Sequence, residues 1–156
     1  MSLKRLFDAE LAYQAGAEPV IDPDGREGVL IGSGDGTVSG PELRGSIHWS
    51  MYTADCPYRP DGSPGEGEPT SDGDHCCRTN PGGFIETDDG AKVWFDVKGL
   101  GLRRQDLKPA WRLTGSLRFQ TKDERYAWLN RAIGLWGGRF DEAAGVGSYS
   151  ALLSSG

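Results

Sequence analysis

Between Trp111 and Phe119 every second residue is apolar or glycine. Trp111, Leu113, Gly115, Leu117 and Phe119 alternate with Arg112, Thr114, Ser116 and Arg118. Successive side chains leave a strand on opposite sides, so a period of two is the mark of a strand with one buried face. The same period returns twice. Phe7, Ala9, Leu11 and Tyr13 alternate with Asp8, Glu10 and Ala12, and Leu43, Gly45, Ile47 and Trp49 alternate with Arg44, Ser46 and His48. "EGVLIG" (27–32), "GTVSG" (36–40), "AIGLWGG" (132–138) and "VGSYSALL" (146–153) add further strands. "GSGDG" (32–36) between two of them reads as a turn, since it lacks the Lys-Ser/Thr and the following helix of a phosphate loop.

The stretch "GGFIETDDGAKVWFDVKG" reads as a hairpin with Asp89-Gly90 as a two-residue turn, the sequence type that tolerates positive φ at both central positions. That register sets Glu86 opposite Val93 and Phe84 opposite Phe95, with Val97 on the same side. Ile85, Thr87, Lys92, Trp94, Asp96 and Lys98 then take the other face. Helical periodicity is confined to "DERYAWLN", with Asp123 as N-cap and Tyr126, Leu129 and Asn130 on one face. About eight to ten short strands with one short helix predict an all-β fold, an antiparallel β-barrel that leaves no exposed edges. A two-sheet sandwich is the competing architecture.

A chain of 156 residues is one domain on size, spanning 1–156. Its 24 glycines, about twice the usual ~7% share, suit a β domain of many turns and close backbone approaches. Residues 53–74, "TADCPYRPDGSPGEGEPTSDGD", are rich in Pro, Gly, Ser and acids and read as an inserted surface loop. A net charge of -6 argues against nucleic acid as a partner, because few cations are available to release counterions. No apolar run approaches the ~20 residues of a membrane helix, so no membrane partner is expected. Asp8 and Glu10 interrupt any signal-peptide core, which points to a cytoplasmic protein with reduced cysteines.

"GPELRG", "ETDDGAKVWFDVKGLGLR" and "SLRFQTKDERYAWLNRAIGLWGGR" resemble the domain of unknown function 3237 family, small bacterial and fungal proteins. The family's T-D-D-G-A hairpin is matched by Thr87 to Ala91. Its P-x-F-x-T-x-D-x-R-Y-x-W-L-N block is matched by Phe119, Thr121, Asp123, Arg125, Tyr126, Trp128, Leu129 and Asn130, with Ser116-Leu117-Arg118 where a proline is usual. The resemblance runs from about Leu3 to Leu152 and implies a β-barrel without a named activity. A short acidic element of the family is matched by Gly73-Asp74-His75, where the family's tryptophan is absent.

On the hairpin register, Glu86 is a carboxylate among apolar side chains, where desolvation raises a pKa into the range of a general acid or base. With Asp74 it forms the candidate catalytic pair. Tyr13, Trp49, Phe84, Phe95, Trp111 and Phe119 gather on the expected inner face, and Ala9, Gly45 and Gly115 leave room between them. Tyr126, Trp128 and Asn130 either plug one barrel end or line a pocket. The candidate ligand-binding set is therefore Tyr13, Trp49, Phe84, Phe95, Trp111, Tyr126, Trp128 and Asn130. Adjacent Cys76 and Cys77 point to opposite faces of an extended segment, unlike the separated cysteine pairs of structural zinc sites. Neither His48 nor Cys56 completes a site with them, so no metal is expected.

These features favour a small-molecule barrel for an apolar or aromatic ligand. It acts either as a cofactor-free isomerase, lyase, hydratase or cyclase by carboxylate acid–base chemistry, or as a non-catalytic carrier. A homo-oligomer is compatible with either.

Overall fold

The computed structural model describes residues 2–21, 27–53, 68–69, 74–104, 106, 110–141 and 143–155. Its strands are β1 (Ser2–Ala12), β2 (Gln14–Ile21), β3 (Glu27–Ser39), β4 (Arg44–Thr53), β5 (Glu68–Pro69), β6 (His75–Thr79), β7 (Gly82–Thr87), β8 (Lys92–Arg103), β9 (Ala110–Gln120), β10 (Ile133–Asp141) and β11 (Val146–Ser155). A 3₁₀ helix, Glu124–Arg131, joins β9 to β10. All pairings are antiparallel, and the order β1-β3-β4-β7-β8-β9-β10-β11 closes through β11 onto β1 as an 8-strand barrel. β6 and β7 follow one another along the same edge of β8. Outside the closed ring, β2 pairs with β3 and β5 with β6. β5 falls inside the stretch expected to be loop; residues 54–67 and 70–73 of that stretch lie outside the described residues.

The alternation of β1 and β9 is realised as a buried inner face. Phe7, Ala9 and Leu117 are fully buried, while Arg112, Thr114, Ser116 and Arg118 face outward. Trp136 of β10 sits at the centre of this core. It packs edge-on to Phe7 and stacks on Phe95 and Tyr149, at centroid distances of 6.2, 6.0 and 5.0 Å. Aromatic contacts of this kind add about 0.5–1.5 kcal/mol each beyond the area they bury.

"GSGDG" is not a turn. β3 runs straight through it, and none of its glycines has positive φ. A Cβ on Gly34 would collide with the Ala12 carbonyl oxygen, and one on Gly36 with that of Glu10. These glycines let β3 lie against β1, which is a demand of packing rather than of chain reversal.

The hairpin register also differs from the expected one, by a single residue. Ile85 pairs with Val93, Phe84 with Trp94, Gly83 with Phe95 and Glu86 with Lys92. The loop has three residues, Asp88, Asp89 and Gly90. Gly90 N–H donates to Thr87 O and Thr87 N–H to Ala91 O, each at 2.9 Å. Only Gly90 has positive φ, at 88°, whereas the expected two-residue turn requires it of Asp89 as well. The Thr87 hydroxyl accepts from Ala91 N at 2.8 Å and donates to the Asp89 carboxylate, which pins the longer loop. Because side chains alternate, the one-residue slip turns all of β7 over. Ile85 and Thr87 are inside, and Phe84 and Glu86 are outside.

Candidate functional site at the open end of the barrel

The two barrel ends are built differently. At the hairpin end the 3₁₀ helix closes the barrel by inserting Leu129, which is fully buried. Asp123 caps the helix, accepting from Arg125 N–H at 3.0 Å, and its carboxylate is gripped by the Arg125 guanidinium at 3.0 and 2.7 Å. Arg125 also pairs with Asp89 at 3.1 Å. The Tyr126 hydroxyl lies 3.0 Å from both Asp89 oxygens. The Thr87 hydroxyl, together with Tyr126 and Arg125, holds the Asp89 carboxyl below its ordinary value. The Arg125 hydrogen bonds do the same for Asp123. Asn130 accepts from Thr121 N–H at 2.7 Å and donates to Thr121 O at 3.0 Å, tying the helix to the end of β9. Asp89, Asp123, Arg125, Tyr126 and Asn130 are all bonded within this end, which makes it a structural cap.

The expected ligand-lining set therefore divides. Tyr126 and Asn130 serve the cap, and Trp128 is 42% exposed. Phe95 lies in mid-core against Trp136. Phe84 is on the outer face, in a cross-strand row with His48 and Trp94, and Lys92 stands 3.8 Å above its ring.

Glu86 belongs to the same outer surface. Its side chain is 57% exposed, with His48 Nε2 at 3.7 Å, and His48 Nδ1 is 2.6 Å from Asp35. Asp74 is half-buried and immediately precedes β6, at the opposite end of the barrel from the hairpin. The two carboxylates do not share a cavity, and the proposed pair is overturned by the one-residue register shift.

The end not capped by the 3₁₀ helix, termed the open end, collects Tyr13, Trp49 and Trp111, together with Phe140. Tyr13 stacks on Trp49 at 5.6 Å and leans on Phe140 at 4.7 Å. Trp49 donates its Nε1–H to Ala12 O at 3.2 Å, which fixes the indole plane. Buried Thr79 donates to the Met51 sulfur. On the Trp111 side lies Arg103, only 7% exposed, its guanidinium 4.9 Å above the Trp111 ring. His75, which follows Asp74, is the cross-strand neighbour of Arg103.

Arg103 was not singled out from the sequence, although a signal was present. Carrying the period of Val93, Phe95 and Val97 forward puts Gly99, Gly101 and Arg103 inside and Leu100 and Leu102 outside. That is the reverse of the usual polarity, and such local violations concentrate at functional sites. Among the described residues the buried polar side chains are Thr79, Thr87, Arg103 and Thr121. Cys76 is half-buried, Cys56 lies outside the described residues, and no cluster of three potential metal ligands occurs among the described residues. No helix among the described residues is long and apolar enough to cross a membrane.

No protein-family model matches the chain, and no curated protein matches its sequence. Solved structures do match. A β-barrel-like protein from Acinetobacter baumannii AYE is similar at TM-score 0.68 and 17% identity, over 97% of this chain and 94% of its own. A protein of unknown function from Clostridium acetobutylicum ATCC 824 gives 0.68 and 18%, over 99% and 100%. An enzyme from Penicillium herquei gives 0.53 and 21%, over 97% and 93%. At these identities the shared property is the closed β-barrel fold.

Proposed function

We propose that this chain is a small-molecule-binding β-barrel of the domain of unknown function 3237 type, taking an aromatic ligand at its open end. Arg103 carries the reading. A guanidinium is costly to bury, and its place on the Trp111 ring, at the end that also holds Trp49 and Tyr13, suits a ligand with a flat apolar body and an acidic or carbonyl oxygen. The rings supply stacking surface and the cation fixes orientation. A panel of aromatic carboxylates and phenols, titrated by calorimetry, tests this. Wild-type protein should bind at least one class, and Arg103→Met should weaken it about tenfold or more, a loss of ~1.4 kcal/mol or greater. Equal affinity for wild type and variant, or no binding across the panel, counts against the proposal.

A second reading makes the site catalytic. It is favoured by the description of the Penicillium herquei barrel as an enzyme and by the same arginine. Loss of a proton next to a ligand carbonyl leaves negative charge on the oxygen, which a fixed cation stabilises most in the transition state. On this reading Asp74, which precedes β6 at the same end, exchanges that proton. Deuterium uptake by an enolisable aromatic ketone, lost in Arg103→Met and Asp74→Asn, supports catalysis. Binding without uptake supports the carrier.

A further inference from the structure

We propose a second ligand site on the outer wall of the barrel, an oxyanion-binding groove built on Arg112 and Arg139. The groove holds about 350 Å³ and is half open to solvent; Leu102 and Trp111 line it beside Arg104, Arg112, Arg139, Thr114 and Ser148. Arg112 of β9 and Arg139 of β10 are directly paired across the two strands. Side chains so placed start ~5 Å apart at Cβ, and like charges there repel. Neither guanidinium has a hydrogen bond or ion pair among the described residues.

The nearby carboxylates bond to other side chains than Arg112 and Arg139, two of them to Ser148 and Arg104 of the groove itself. Glu10 accepts from Ser148 at 2.8 Å, Asp8 accepts from Ser150 at 2.6 Å and pairs with Arg5 at 3.0 Å, and Asp106 holds Arg104 in a fork at 3.0 and 2.8 Å. A protein of net charge -6 thus keeps two guanidinium forks side by side without using its own acids to neutralise them.

The surface beside them is also kept clear. In the next cross-strand row the position beside Arg112 and Arg139 is Gly137, flanked by Thr114. The nearest atom to a Cβ there would be 4.0 Å away. Two forks, a hydroxyl and a gap match a doubly charged oxyanion, either a phosphate monoester or a pair of carboxylates on one small molecule. The volume suits a metabolite rather than a macromolecular surface.

The test uses inorganic phosphate and malonate as probes, followed by backbone and arginine side-chain NMR. Wild-type protein should show saturable binding of at least one probe, with shifts confined to residues around Arg112, Gly137 and Arg139. The double variant R112Q/R139Q should lose about tenfold or more in affinity. Response to phosphate alone identifies a phosphoryl group, and response to malonate alone a dicarboxylate. R112K/R139K keeps the charge but loses the forks, so its affinity should fall between the other two. Unchanged affinity in R112Q/R139Q, or shifts that grow linearly without saturation, would overturn the site. Because both side chains are exposed, R112Q/R139Q should fold. Its melting temperature without ligand should equal or exceed that of wild type, and a clear drop would mean that the pair is structural.

Discussion

The Tyr126 hydroxyl lies 3.0 Å from both oxygens of the Asp89 carboxylate, joining the 3₁₀ helix to the tip of the β7–β8 hairpin. Residues 37 apart in sequence thereby lock one barrel end. Both Asp89 and Asp123 are held below their ordinary value of 3.8. A depressed folded-state pKa means stability that is fully present above the unfolded value and lost as pH falls through the folded one. Asp89→Asn should therefore lower the melting temperature at neutral pH, and the gap to wild type should shrink below about pH 4. Thermal melts from pH 7 to pH 2 check this; a gap that stays constant with pH would contradict it.

Much of the barrel was legible from period two alone. β1, β4, β8 and β9 each present the inner face that their alternation predicts, and the capped turn at Asp123 is where the sequence places it. The β7 register was not legible. "TDDGA" satisfies a two-residue and a three-residue loop equally well, and only the Thr87 hydroxyl bonds select the longer one. That single residue moved Glu86 and Phe84 out and Ile85 in. Arg103 escaped for a related reason: an apolar Leu102 beside it invites the wrong face, and only β8 followed along its whole length corrects this.

Glu86→Gln tests the register directly. An exposed glutamate on the outer wall should be replaceable within about 0.5 kcal/mol, with ligand binding at the open end unchanged. Denaturant melts and the titration panel measure both. A large gain in stability, as when a buried unpaired charge is removed, would put Glu86 back inside.

Trp136 and Trp94 should behave oppositely. Trp136 is 1% exposed at the centre of the core, so Trp136→Ala should cost about 3–5 kcal/mol. Trp94 is 50% exposed on the outer face, and its loss should cost well under half of that. Urea unfolding of the two variants measures the difference.

Gly34→Ala probes the close approach of β3 to β1. The new Cβ meets a backbone carbonyl, that of Ala12, which also accepts the Trp49 indole N–H. The strands must part, at a cost of about 1–3 kcal/mol. The Trp49 indole resonance should shift with them. A variant as stable as wild type would show that β1 and β3 have slack at this point.

The 5 tryptophans make the ligand site itself measurable. Trp49 and Trp111 stand at the open end, Trp94 and Trp128 on the outside and Trp136 in the core. Their indole N–H signals should resolve in a ¹H–¹⁵N spectrum recorded while an aromatic carboxylate is added. Trp49 and Trp111 should show saturable shifts, absent in Arg103→Met, with Trp94 and Trp128 unmoved. Shifts confined to Trp94 or Trp128, or a response of Trp111 that survives Arg103→Met, would contradict a ligand held at the open end by Arg103.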